Sequence, residues 1–182
     1  GALFNALTLN AFLRHGDWVT LANMTGLMHG GGMKTPRGVL IVDPQYYTQQ
    51  LYAVAEPRIP VETVWEGPGV DVPQRGFLPA VADVPNVDVF SALDGRRQRL
   101  TVFVVNRSLH DPQPIHLRVD GFSGDRGSAT ILTSPDVQTG NTWDHPDAVA
   151  PGPFPLPDSS GPSDCTVTLP AHSLVVMTWR RR

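Results

Sequence analysis

Cysteine is nearly absent: Cys165 stands alone among 182 residues. No disulfide can close within the chain, and no zinc site can be built from thiolates. Glutamate is scarce as well, with only Glu56, Glu62 and Glu66. The last two lie four apart in an apparently extended stretch, which separates them by about 13 Å at about 3.3 Å per residue. That exceeds the roughly 5–9.5 Å of a glycosidase carboxylate pair, and solvated strand residues are the plainer reading. No apolar run reaches the roughly 18 residues of a membrane span. Fourteen Lys and Arg against seventeen Asp and Glu give a net charge of −3. The one basic run read in the sequence is the terminal Arg180-Arg181-Arg182, so the electrostatic footprint of a nucleic-acid binder is missing. The six histidines fall in no metal-ligand spacing, Ser159, Ser160 and Ser173 lack a nucleophile-elbow context, and Gly30-Gly31-Gly32 lacks the spacing of a dinucleotide loop. No cofactor or metal is expected.

Turn formers, by contrast, are abundant. Seventeen glycines and eighteen prolines imply dense turns and few helices. A length of 182 residues suits one domain or a domain plus a fragment, and is too short for a whole (β/α)₈ barrel of roughly 250 residues.

Two regions differ in period. From Ala2 to His15 the apolar residues Leu3, Phe4, Leu7 and Ala11 repeat at helical spacing, with Ala6, Leu9 and Leu13 widening the stripe, so this helix requires partners on most sides. Asp17 to Met28 reads as a strand buried on both faces, ended by the Gly30–Gly32 loop. After Gly38–Val42, Asp43 and Pro44 supply an N-cap and a first-turn proline for a second helix carrying Tyr47, Gln50, Leu51 and Val54. Past Pro57 the period becomes two. Leu100–Val105, Ile115–Val119, Ser128–Leu132, Cys165–Leu169 and Leu174–Trp179 are short β-rich runs between turns, the pattern of an antiparallel β-sandwich. The five prolines of 151–162 predict an extended surface loop there rather than a strand. The fold class is therefore mainly β, a jelly-roll-like antiparallel sandwich over 58–182 preceded by a helix-strand-loop-helix piece over 1–57.

His29 lies where the expected strand meets the glycine loop, the position from which barrel strands project substrate-binding side chains. A hydrogen-bonded loop histidine is the bland alternative. Trp18, Trp65, Trp143 and Trp179 could stack on sugar rings, but Trp at the edge of an apolar run belongs more often to the core. Only Trp143, in the polar Gly140–Pro146 stretch, reads as a surface candidate.

Leu9-Asn10-Ala11-Phe12-Leu13-Arg14-His15 followed by Val19-Thr20-Leu21-Ala22-Asn23-Met24 resembles the last helix-strand passage of the catalytic barrel in α-L-arabinofuranosidases of glycoside hydrolase family 51. Leu100–Arg107, Asn141-Thr142 with Pro146, and Thr168–Ser173 resemble that family's C-terminal sandwich in the same order. The resemblance implies a retaining hydrolase that removes terminal α-L-arabinofuranosyl groups from arabinan, arabinoxylan or their oligosaccharides. It also implies a glutamate nucleophile and a glutamate acid/base upstream of Gly1. Residues 1–57 would complete the (β/α)₈ barrel, and the chain alone would be inactive. The opening Gly1-Ala2-Leu3-Phe4, inside a helical pattern, agrees with a cut within a larger protein. Where family members read Ala-Asn-x-Ala-Gln-Leu-Val-Asn, this chain reads Ala22-Asn23-Met24-Thr25-Gly26-Leu27-Met28-His29. Gly26 thus replaces the glutamine that reaches arabinose, His29 replaces the asparagine, and Asn23, Gly26 and His29 are the implied substrate-binding positions. The implied partners are an arabinose-containing oligo- or polysaccharide and the upstream barrel, with self-association into a homo-oligomer left open. The compartment is not set, because any secretion signal would precede Gly1.

Two alternatives come from other classes. One is a non-catalytic carbohydrate-binding module, motivated by the sandwich and Trp143. The other is a free-standing structural β-sandwich, which requires Leu3, Phe4, Leu7, Leu9 and Leu13 to find cover on the sandwich itself.

Overall fold

The computed structural model describes residues 1–23, 32–124, 127–157, 161–162 and 164–181. In chain order the elements are α1 (Ala2–Arg14), β1 (Met33–Lys34), β2 (Ile41–Val42), α2 (Pro44–Ala55), β3 (Ile59–Val61), β4 (Gly69–Val72), β5 (Val81–Pro85), β6 (Val87–Leu93) and β7 (Arg99–Asn106). They continue with β8 (Gln113–Leu117), β9 (Ser128–Leu132), β10 (Gly152–Pro153), β11 (Cys165–Leu169) and β12 (Ser173–Arg180). The mainly β class is as the period-two runs predict.

Six strands form one antiparallel sheet in the order β10-β9-β12-β7-β6-β3. Its centre is the β7–β12 pair, in register from Arg99 opposite Arg180 to Asn106 opposite Ser173. Side chains alternate between faces along a strand, which divides these two strands between two cores. Leu100, Val102, Val104, Val175, Met177 and Trp179 point to one side, where Ile115, Cys165, Val167 and Leu169 of the small β8–β11 sheet cover them. Phe103, Val105, Leu174 and Val176 point to the other, where Ala6 of α1 and Tyr52 and Ala55 of α2 cover them. Burial on both faces explains why the sequence runs Leu-Thr-Val-Phe-Val-Val without the polar alternation of a one-sided strand.

Asp43 precedes α2 with extended backbone and Pro44 opens the helix. The Asp43 carboxylate pairs with Lys34 at 2.7 Å instead of capping the helix through its side chain. Two local readings change. Gly152 and Pro153 of the proline-rich stretch form an edge strand on β9, a sheet position that tolerates proline. Phe154 and Leu156 beyond it pack into the core. The buried strand expected over 17–28 is not formed in its described part: residues 15–18 are turn and 19–23 irregular, with Trp18 85 % and Leu21 81 % exposed. A strand buried on both faces needs neighbours on both sides, and no described strand lies beside it.

Candidate functional site

Of the three implied substrate-binding positions, Asn23 is described and is exposed. Gly26 and His29 lie outside the described residues. The segment that follows them is firmly seated. The Asp43 amide donates to the Gly32 carbonyl at 2.6 Å. Gly32 has a φ of +119°, and a side chain there would meet the Tyr46 backbone at 2.8 Å, so both conformation and space call for glycine. The buried Asn141 donates through Nδ2 to the carbonyls of Val42 at 2.6 Å and Val149 at 2.9 Å, and its Oδ1 accepts from the Val149 amide at 2.8 Å. The Arg37 guanidinium lies 5.3 Å from the Trp143 ring centroid, so the surface tryptophan is stacked by a cation.

The other motif residues act on loops. Fully buried Asn106 donates to the carbonyls of Asp111 at 3.0 Å and Pro170 at 2.8 Å and accepts the Ser108 amide at 3.0 Å. His172 sets its two ring nitrogens against the Leu109 carbonyl at 3.1 Å and the Ser134 carbonyl at 2.6 Å. Ser173, whose hydroxyl donates to the Pro170 carbonyl at 2.7 Å, is buried and engaged. Each of these residues fastens a connection at the end of the sheet where β7 finishes and β12 begins.

A polar thread that sequence reasoning passed over joins the helices to the sheet. Tyr52 donates its hydroxyl to Asn10 Oδ1 at 2.6 Å, and Asn10 Nδ2 donates to Asp88 Oδ2 at 2.6 Å. Arg14 completes it, donating to Asp88 Oδ1 at 2.7 Å and to the Val89 carbonyl at 2.6 Å. Burial, and secondarily the Asp88 charge, push the Tyr52 phenol well above its ordinary value, against a smaller lowering by Arg14. Burial lowers the Arg107 guanidinium, with Asp88 acting in the opposite sense; Arg107 donates to the Pro85 carbonyl. The signal available in the sequence was Asn10 itself, a polar residue between Leu9 and Ala11 on a largely apolar helix.

Glu56 caps α2 and lies 3.4 Å from Arg99, while Glu62 and Glu66 are exposed. The described residues therefore assemble a scaffold, a helix-backed β-sandwich domain whose polar side chains fasten loops and helices. The match of a family model, the alpha-L-arabinofuranosidase C-terminal domain, over residues 1–173 makes the kind of scaffold specific: the chain belongs to that family. A 103-residue stretch is 29 % identical to an intracellular exo-α-(1→5)-L-arabinofuranosidase of Bifidobacterium longum, covering 53 % of this chain and 18 % of that protein. The fold is similar to that of α-L-arabinofuranosidase from Thermotoga maritima, with TM-score 0.85 and 22 % identity over 97 % of this chain. It is also similar to the thermostable GH51 α-L-arabinofuranosidase of Thermotoga petrophila, with TM-score 0.84 and 23 % identity over 97 % of this chain. The chain spans 37 % of each of those two solved proteins.

Proposed function

We propose that this chain is the C-terminal portion of a retaining glycoside hydrolase that releases terminal α-L-arabinofuranosyl residues from arabinan, arabinoxylan or derived oligosaccharides. Its own part is structural: residues 1–57 complete the catalytic barrel and residues 58–182 brace it. The paired carboxyl groups of a retaining enzyme, about 5–5.5 Å apart, come from the preceding barrel, and Asn23, Gly26 and His29 border the arabinose at the barrel's last strand.

The observation that carries this reading is a one-sided apolar segment. Residues 1–22 set Ala6 and Asn10 against the sheet and pack Leu3, Leu7, Leu9 and Leu13 on the same core, yet leave Phe4 69 %, Trp18 85 % and Leu21 81 % exposed. A groove of about 460 Å³ lined by Leu9, Phe12, Leu13, Val19, Leu21 and Tyr52 runs between α1 and α2. An apolar groove next to a segment with strand composition and no neighbour among the described strands fits docking onto a parallel barrel. The test compares the full gene product with the 182-residue chain on an aryl α-L-arabinofuranoside. Hydrolysis with retention by the former and none by the latter is expected, and turnover by the 182-residue chain alone would overturn the reading.

A further inference from the structure

The fold gathers arginines that the sequence scatters. Arg180 of β12 pairs in register with Arg99 of β7, and the Arg181 amide donates to the Gln98 carbonyl at 2.8 Å. The β6–β7 turn at the same end carries Arg96 and Arg97. Arg58 adjoins it, its amide donating to the Leu93 carbonyl at 3.0 Å and its Cγ lying 3.8 Å from where a Gly95 Cβ would stand. Six arginines thus meet at one end of the sheet, including the Arg96-Arg97-Gln98-Arg99 run that the sequence reading passed over.

The carboxylates of Asp94 and Glu56 offset part of this charge. Asp94 spends Oδ1 on the amides of Gln98 at 2.7 Å and Arg99 at 3.1 Å, and Glu56 lies 3.4 Å from Arg99. Arg99 is further tied to the Ala55 carbonyl at 2.8 Å. Arg181 is held over the Phe122 ring at 5.2 Å. Among the described residues, the guanidinium groups of Arg58, Arg96, Arg97 and Arg180 have no carboxylate partner, and all four residues are exposed. From Arg180 on β12 to Arg58 before β3 is three strand spacings, about 14 Å.

The turn and the groove beside it define the shape of this end. Arg97 has a φ of +57°, a left-handed conformation that glycine or asparagine adopts at lower cost. The β6–β7 turn accounts for this conformation, the Arg97 amide donating to the Asp94 carbonyl at 3.0 Å, so glycine can replace Arg97 there without strain. Beside the cluster, Arg99 and Arg180 edge a groove of about 390 Å³ that also holds the hydroxyl side chains of Ser128, Thr130 and Thr178 over an apolar floor including Val54. Hydroxyls, an apolar floor and guanidinium forks match a sugar ring that carries a carboxylate.

We propose that this end of the sheet binds acidic polysaccharide, a chain bearing uronate carboxylates. The guanidinium groups grip successive carboxylates, and the groove seats one sugar ring. The readout is binding, so the proposal stands or falls independently of the hydrolytic assignment.

The test is affinity electrophoresis of the full-length protein through gels containing polygalacturonate, neutral linear arabinan, or a single-stranded oligonucleotide. Retardation by polygalacturonate is expected, weakening as salt rises, with weaker retardation in the other two gels. Arg96→Ala/Arg97→Gly/Arg180→Ala should weaken binding about tenfold. Arg97→Gly alone should weaken it while leaving the melting temperature unchanged or higher, which a merely structural arginine would not do. Absence of retardation by polygalacturonate, equal retardation of the variants, or equal or tighter binding of the oligonucleotide would each overturn the proposal.

Discussion

Asn10 of α1 and Asp88 of β6, 78 positions apart in the chain, share a 2.6 Å hydrogen bond at a site where Asn10 is wholly removed from solvent. The same amide accepts the Tyr52 hydroxyl, so one side chain fastens both helices to the sheet. Replacing Asn10 by Leu leaves the Tyr52 hydroxyl only the Ala6 carbonyl, at 3.2 Å, as acceptor and Asp88 without one donor, and poorly satisfied buried polar groups cost about 1–3 kcal/mol each. Asn10→Leu is expected to destabilise the protein by about 2–3 kcal/mol in urea unfolding. Asn10→Leu/Tyr52→Phe should recover part of that loss, because no phenol is then left with the Ala6 carbonyl as its one partner. Strict additivity of the two changes would show that the residues are not coupled.

Tyr52 also gives the fold an alkaline limit. Its phenol is held neutral in the folded state, chiefly by burial and then by Asp88, with a proton affinity well above the ordinary value of 10.0. An acid whose folded-state value is raised loses its proton in the unfolded chain first. The stabilising contribution is therefore complete below about pH 10 and declines as pH rises beyond it. Unfolding free energies measured upward from neutral pH should fall above about pH 10. Tyr52→Phe should show a shallower fall from a lower starting stability, and an identical pH slope in the variant would exclude Tyr52 as the titrating group.

Tyr52 stacks on Phe103, with ring centroids 4.0 Å apart and planes 16° from parallel, and Phe103 contacts Phe90 in turn at 6.1 Å. Phe103 is fully buried at the middle of the central strand pair, where little can collapse into a void. Phe103→Ala should cost about 3–5 kcal/mol and Phe103→Leu less than about 2 kcal/mol, read as denaturation midpoints at constant slope. A small loss for the alanine variant would mean that the helix layer is not packed on the sheet as observed.

The parts of this fold legible in the sequence are those that satisfy themselves locally. The period-two runs at 100–105, 128–132, 165–169 and 174–179 each became a strand, and Asp43-Pro44 opened α2, because alternation and capping need only neighbours a few residues away. The double-sided burial of β7 and β12 depends on which layers cover the sheet, which no local pattern states. Residues 17–23 show the converse: strand composition does not make a strand without neighbouring strands to pair with. The proposed substrate positions Asn23, Gly26 and His29 rest on resemblance alone, since they have no spacing that names a chemistry. The Arg58, Arg96, Arg97 and Arg180 cluster arises from strand pairing between distant segments.

Trp18 and Leu21, 85 % and 81 % exposed, the latter lining the apolar groove between the helices, set up opposite outcomes in two settings. In the 182-residue chain their apolar surface favours self-association, so Trp18→Ser/Leu21→Ser should lower the sedimentation-averaged mass at high concentration. In the full-length protein the same pair should be covered, and the double change should lower the melting temperature by several degrees. No stability change in the longer protein would mean that the groove faces solvent there too.

His29 and Asn23 provide the sharpest check on the arabinofuranoside assignment. If they border the sugar as the resemblance implies, His29→Ala in the complete enzyme removes a hydrogen-bonding group from bound substrate, worth about tenfold in kcat/KM for a contact of about 1.4 kcal/mol. The melting temperature should hardly move, because a side chain serving the substrate does little for the apo fold. Asn23, exposed in this chain, should behave alike on substitution by Ala. Restoring the family residue with His29→Asn should bring back more activity than His29→Ala retains. Loss of melting temperature without loss of kcat/KM would identify His29 as a loop-fastening residue, like His172 between its two carbonyls, and would remove it from the substrate site.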